Sequence, residues 1–405
     1  MKRRQIIQSI FLGSTALSVS FLNSRSHSIT RSNSNPEKKM KMRQVYDWIF
    51  LYWMPYDNDL SRFGQEIIQA ISSGIRSKNL LVAVEADFLE TPNITRYVLT
   101  QNQTQTQQLH ISDSASEDAF AEYLTWAQSQ FEAKHWAIVF LGHGGNTDEI
   151  SPDIHSGVDG NSIQWMNIQS IADRILEFNQ RIGDRIELFF FQNCNKGTLE
   201  AHSTISEVAR YTLSSQKLLG APNYYYPKLF QWLGKNPEAS GEEVARKVEQ
   251  FERSDMYSSY TVTNNSMFRQ LKRYLVPLID TVLAANLQNI ELHRIPTYDY
   301  FDEFQADAIE FFTAIVQQSN ADRQTFDRFI DFVEQSTIHL PNPQEHAQNL
   351  SGLGLFVPTH RQQLDRYRNW QIYADLKLLE LFDAIFDSTP VSLTLWQELL
   401  RTKYI

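Results

Sequence analysis

The sequence predicts an α/β protein, a mostly parallel sheet covered by helices on both faces and followed by a mainly helical C-terminal region. Three observations carry this reading. Short apolar runs alternate with amphipathic helical stretches between residues 45 and 215; those runs are apolar throughout rather than at every second position; and beyond Pro237 the pattern turns to long helical periods. Strands covered on both faces read as continuous apolar runs, and strands joined through helices run parallel.

Taken in order, residues 45–54 are a dense aromatic and apolar run stopped by Pro55, a buried strand. Residues 60–75 place Phe63, Ile67, Ile68 and Ile71 at helical spacing, and 80–84 is a second strand, completing a β-α-β unit. Residues 96–100 suggest a further strand, and the Gln/Thr tract 101–108 reads as an exposed connection. Three helix-to-strand pairs follow: 117–131 into 136–141, 168–178 into 186–191, and 198–209 into a short strand near 212–215. Ser240 followed by Glu243 forms a capping box for a helix to Glu252. Residues 267–285 and 301–318 read as amphipathic helices, and 353–357, stopped by Pro358, returns as a strand.

The chain has 405 residues, 42% hydrophobic and 12% aromatic, so a sizeable core is available. Its net charge of -10 and the lack of a long cationic stripe in the folded region argue against a nucleic-acid partner. There is one cysteine, Cys194, so no intramolecular disulfide forms. A lone thiol is either a small buried apolar residue or, beside a suitable His, a nucleophile.

The first residues read as an address. Lys2, Arg3 and Arg4 precede a mildly apolar stretch, 6–22, and the Arg3-Arg4 pair resembles a twin-arginine export signal. Residues 1–28 are read as this signal and 29–42 as a linker, with a catalytic-type domain over 43–236 and the helical region over 237–405. The expected location is outside the cytoplasm, periplasmic or extracellular, with no stable membrane insertion after the signal is removed.

Two strand ends hold the unusual residues. Strand 136–141 runs into Gly142-His143-Gly144-Gly145, and strand 186–191 runs into Gln192-Asn193-Cys194-Asn195-Lys196-Gly197. Both are carboxyl ends, the edge of a parallel sheet where ligands sit. A thiolate there attacks a carbonyl, an imidazole accepts and returns the proton, and backbone amides hold the oxyanion; the N–H groups of Gly144 and Cys194 are the candidates. The alternatives are a packed thiol above a tight turn, or a phosphate loop. The second lacks both the Gly-x-Gly-x-x-Gly spacing and a Lys-Ser or Lys-Thr partner.

These residues carry a resemblance. The segment Trp48 to Leu60 with its Asp57-Asn58-Asp59-Leu60 turn, His143-Gly144-Gly145, Cys194, Leu199-Glu200 and the late Gly352 to Pro358 segment are similar to motifs of the clostripain family of cysteine peptidases, over about residues 44–375. The resemblance implies a caspase-like sheet, His143 and Cys194 as catalytic base and nucleophile, and a peptide or protein substrate. It also implies a pocket around position 192. Where the family usually has Asp, this chain has Gln192; where the family tends to show Ser-Glu-Glu or Ser-Gln-Glu, it has Ser215-Gln216-Lys217. Strict Arg or Lys selectivity is therefore not expected, unless Asp57 or Asp59 supplies the missing carboxylate. Gln192 resembles instead the caspase Gln that lines a pocket for acidic side chains.

Other residues are weighed the same way. Asp148, Glu149, Asp153 and Asp159 read as a solvated acidic loop. Calcium dependence in similar peptidases makes calcium the one cofactor to consider, but the spacing matches no Ca²⁺ loop, and no metal site is expected. His155 and His202 read as surface or satisfied core residues, and Tyr224-Tyr225-Tyr226 as a cleft wall or as packing. The polar stretch 146–161 is a candidate for self-cleavage, as the resemblance implies. The functional expectation is a cysteine endopeptidase acting through a thioester acyl-enzyme. A catalytically inactive peptide-binding relative of the same fold is the alternative, and a nucleotide-binding protein is the more distant one.

Overall fold

The computed structural model describes residues 44–154, 163–301, 303–343 and 350–388. The export signal and linker, His155, Asp159 and residues 155–161 of the expected cleavage stretch lie outside them. The sheet is assembled from β1 (Val45–Tyr56), β2 (Leu80–Phe88), β3 (Thr95–Thr100), β4 (Gln103–Gln108), β5 (Glu132–Leu141), β8 (Ile186–Gln192), β9 (Ala209–Ser214), β10 (Ser259–Asn264) and β13 (Thr337–Pro341). Their spatial order is β13-β10-β9-β8-β5-β1-β2-β3-β4. The centre, from β9 to β2, is parallel, and each end is finished by antiparallel strands.

The unbroken apolar runs follow from burial on both faces. In β1, Ile49, Leu51 and Trp53 enter one core with α2 (Glu117–Gln130) and α3 (Ile168–Ile182), while Trp48, Phe50, Tyr52 and Met54 enter the other with α1 (Ser61–Gly74), α5 (Tyr226–Leu233) and α6 (Gly241–Phe251). Period-two alternation thus sorts one apolar run into two cores. Local residues set the helix ends, with α3 running past its expected end at 178 to Ile182. Ser116 caps α2, Asn167 caps α3, and Gly183 closes α3 in the left-handed region at φ +73°. The Ser240/Glu243 capping box opens α6 as expected.

The C-terminal region is less purely helical than its periodicity suggests. β10 and β13 extend the main sheet, and β11 (Tyr298–Tyr300), β12 (Glu303–Asp307) and β14 (Gly354–Phe356) form a second, three-stranded one. The expected helix over 301–318 begins only at α9 (Ala308–Ser319). Asp307 is its N-cap, accepting from Ile309 and Glu310 N–H, and the residues before it pair with β11 and β14. The expected helix over 267–285 divides into α7 (Asn265–Phe268) and α8 (Leu271–Leu283). The Gln/Thr tract, read as a connection, is the exposed edge strand β4. The described residues fall within one compact unit, and no helix among them is long and apolar enough to cross a membrane.

Candidate active site

Register brings the two sequence motifs together. β5 pairs with β8 so that Leu141 stands opposite Gln192. His143 and Cys194, each two residues further on, therefore follow the sheet at the same height on neighbouring strands. Gly142 makes the turn out of β5 with φ +111°, a conformation that favours glycine. Asn193, fully buried, ties the two ends: its Nδ2 donates to Gly142 O at 2.9 Å and to His143 O at 3.3 Å. A Cβ on Gly144 would fall 2.5 Å from Cys194 O and 2.9 Å from Lys196 Cε, so only glycine permits this approach.

The polar partners of the pair are specific. His143 Nε2 meets Asp59 Oδ1 at 2.8 Å, from the turn that follows β1. The Cys194 thiol faces the backbone of Leu219, donating to its carbonyl at 3.3 Å and accepting from its N–H at 3.3 Å. Imidazole and thiol are not hydrogen-bonded to one another. The Tyr300 hydroxyl lies in hydrogen-bonding range of the Cys194 thiol and the Gly144 backbone amide, and burial raises its pKa. Tyr300 comes from the region in which the sequence shows no chemical motif, and nothing in its spacing announces it.

The loop after His143 is bonded from several sides. Lys196, fully buried, donates from Nζ to Asn146 O at 2.6 Å and Gly145 O at 3.3 Å. Burial lowers its pKa to about 8 against the opposing pull of Glu303, Asp148 and Glu149. Glu303 of β12 accepts from Thr147 N and Oγ1, each at 2.8 Å, and from Tyr367 Oη. Arg366 pairs with Glu149 and lies 3.8 Å from Asp148. Asp148 and Glu149 are thus partnered groups rather than part of a solvated run.

The expected pocket residues separate. Gln192 is buried with both ends of its amide engaged: Oε1 accepts from Tyr225 Oη at 2.6 Å, and Nε2 donates to Tyr226 Oη at 2.7 Å and to Asn223. Tyr225 and Tyr226 are therefore packing and polar support, while Tyr224 is exposed with Arg253 stacked 4.3 Å over its ring. Gln216 is occupied elsewhere, donating to Asp307 and accepting from Gly352 N–H. The buried Ser215 hydroxyl accepts from Lys217 N–H. Asp59 lies on His143 rather than beside Gln192. Glu252 connects to Gln192 through Asn223: it accepts from Tyr224 N–H, lies in reach of the Asn223 side chain, and has a pKa raised by burial.

Asp57 belongs to another group. Asp57, Asp87 and Asp153 are buried with carboxylate oxygens within 4.8 Å of one another. Burial first, then Asp153, pushes the Asp87 pKa up to about 8, so Asp87 holds a proton at neutral pH. Calcium takes roughly six to eight oxygens, so the trio by itself supplies part of a shell. His202 is a satisfied core residue between Thr263 Oγ1 at 3.0 Å and Ser214 Oγ at 2.5 Å.

A parallel sheet with a His-Gly-Gly turn and a cysteine at adjacent strand ends defines the caspase-like class of α/β proteins. Residues 52–371 match the clostripain family, and the chain belongs to that family of cysteine peptidases. Among solved structures, the fold is similar to an inactive zymogen C11 protease from Parabacteroides distasonis, with 18% identity, a TM-score of 0.64, and coverage of 83% of this chain and 99% of that one. It is also similar to a secreted C11 cysteine protease from Bacteroides thetaiotaomicron in complex with an irreversible peptide inhibitor, with 16% identity, a TM-score of 0.60, and coverage of 82% and 99%. No curated protein matches the chain.

Proposed function

We propose that the protein is a cysteine endopeptidase in which Cys194 is the nucleophile, His143 its base and Asp59 the group that orients His143. The observation that carries this is the register that sets His143 and Cys194 at one height on neighbouring strands, cross-tied by Asn193. With Nε2–H directed to Asp59, Nδ1 of His143 is the acceptor for the thiol proton. Sγ then bonds to the substrate carbonyl carbon while backbone N–H groups of Gly144 and Cys194 receive the oxyanion. The proton passes from His143 to the leaving amine as the C–N bond breaks, and water hydrolyses the thioester with His143 again as base. In the resting geometry the thiol lies on Leu219, so a turn of the Cys194 side chain toward His143 precedes attack.

The test is turnover of a peptide library by purified protein. Cys194→Ala is expected to abolish it while the fold persists; wild-type hydrolysis in that variant rejects the reading. His143→Ala is expected to lose turnover and to slow iodoacetamide alkylation of Cys194 at neutral pH. Asp59→Asn should cost only about two- to fivefold in kcat, because both partners are solvent-exposed and such pairs contribute about 0.2–1 kcal/mol. An irreversible peptide inhibitor on a structurally similar protein supports a peptide substrate here. Export by residues 1–28 and self-cleavage within 146–161 belong to the same proposal. Mass spectrometry of the active, secreted protein checks both: an intact N-terminus or an uncut chain rejects the respective part.

A further inference from the structure

Lys196 is a fully buried lysine two positions after the nucleophile, and the chemistry described above gives it no step. Its surroundings are particular. The stem passes directly behind Gly144, where a Cβ would meet Lys196 Cε at 2.9 Å. The ammonium donates to Asn146 O at 2.6 Å and Gly145 O at 3.3 Å, both in the loop that leaves His143. Asn195, just before it, holds φ +61°, a strained angle that turns the chain so that Lys196 points back under the site. Asn195 N–H donates to Lys217 O at 2.8 Å and Gly197 N–H to Ser215 O at 2.7 Å, so the backbone carrying the lysine is anchored on both sides.

An ammonium is among the most expensive groups to remove from water, and a position needing only volume accepts Met or Leu. Here the charge is met by Glu303 from β12 and by Asp148 and Glu149 from the loop after His143, with the Cys194 thiol facing it from its own loop. Arg366 pairs with Asp148 and Glu149 from the far side, and Tyr367 bonds Glu303. The lysine is the point at which the two catalytic loops and the C-terminal hairpin share one charge network.

We propose that Lys196 is a positioning residue for peptide-bond hydrolysis: by holding the Gly145 and Asn146 carbonyls, its buried ammonium sets the loop that presents the Gly144 N–H to the oxyanion. Asn193 fixes the other side of the same turn through the His143 carbonyl, so the peptide plane carrying the Gly144 N–H is set between two donors. This rests on the reading of Cys194 and His143 as the reactive pair.

The experiment compares wild type, Lys196→Met and Lys196→Arg as full chains. Two readouts separate positioning from general structure. Peptide turnover needs oxyanion donors, whereas alkylation of Cys194 by iodoacetamide needs only an accessible thiolate. Lys196→Met is expected to lower kcat about a hundredfold, the scale of one misplaced oxyanion donor, with KM within about threefold of wild type and alkylation slowed far less than turnover, since loss of a nearby cation lowers only the thiolate fraction. Lys196→Arg, which keeps the charge and can reach a carbonyl, is expected to recover part of kcat. A folded Lys196→Met with wild-type kcat overturns the proposal, and so does equal loss of turnover and alkylation. Should Lys196→Met not fold, the wild-type pH profile decides. Lys196 loses its proton as pH rises through about 8, so turnover should carry an alkaline decline there that the alkylation profile lacks. Matching profiles overturn the proposal. Absence of any Cys194-dependent turnover in wild type rejects the peptidase reading itself, an outcome distinct from these.

Discussion

Gln192 shows how a single residue changes meaning once its partners are known. From the sequence it is a neutral amide where the family usually carries a pocket carboxylate, ready to contact a substrate side chain. In the structure its oxygen and nitrogen are taken by Tyr225, Tyr226 and Asn223. A charge-assisted partner at a desolvated site is worth about 1.5–3 kcal/mol, roughly ten- to a hundredfold in selectivity, and Gln192 does not supply one. Basic residues are therefore expected not to dominate cleavage, and Gln192→Asp to move the profile toward Arg and Lys. A library profile of wild type and variant checks this. Strong Arg selectivity in wild type would point to Glu252, the carboxylate beside Asn223, and Glu252→Gln would then erase it.

At the scale of elements, the β11–β12 hairpin decides how open the site is. It is held on one flank by Glu303 on Thr147 and on the other by Tyr298 Oη on Gln216 O at 3.3 Å, and β12 pairs with β14, whose Gly354 N–H donates to Gly197 O at 2.6 Å. This frame carries Tyr300 to the Cys194 thiol and to the amide expected to receive the oxyanion. On the proposed mechanism a substrate carbonyl takes the place of that hydroxyl. Tyr300→Phe removes one hydrogen-bonding group of about 1 kcal/mol, so Cys194 alkylation is expected to accelerate about two- to fivefold, with kcat/KM rising in the same direction. Slower alkylation in a folded variant would show that the hydroxyl supports the thiol instead of covering it.

For the molecule as a whole, buried ionisable groups set how stability depends on pH. His202 is held neutral by burial, with its pKa lowered from 6.5 to about 3, so the unfolded chain binds the extra proton and stability falls as pH drops from about 6.5 toward 3. Glu200 is pushed by burial from 4.5 to about 7, so the folded chain binds the extra proton and stability falls as pH rises from about 4.5 through 7. The two slopes oppose each other between about 4.5 and 6.5. Glu85, raised by burial from 4.5 to about 7, and Asp87, raised from 3.8 to about 8, add to the Glu200 slope over the same range, while toward pH 3 the His202 loss prevails. Thermal unfolding is expected to peak in weakly acidic buffer. Glu200→Gln should flatten the decline toward neutral pH; an unchanged slope would place the proton elsewhere.

The sequence by itself determined the elements whose signal is local. The apolar run closed by the Gly142 turn, helical spacing after Leu60, and the Ser240/Glu243 box require no distant partner to be recognised, whereas β1 continues through the expected stop at Pro55 to Tyr56, held by its pairing with β2. The placement of His143 and Cys194 at carboxyl ends of strands is of this kind, since the motif and the strand that carries it are contiguous. Tertiary structure decided what depends on non-local pairing. Residues 303–307 carry a helical apolar pattern yet form β12, because hydrogen bonds from β11 and β14 outweigh a weak local preference. It also decided which carboxylate serves which purpose. Asp57 and Asp59 are two residues apart in one turn, but one is buried against Asp87 and Asp153 and the other reaches His143, a division set by which neighbouring strand each side chain faces. Lys196 and Tyr300 act on the site across 50 and 156 residues of chain from their contacts with Asn146 and Gly144, and spacing in one sequence holds no trace of contacts at that range.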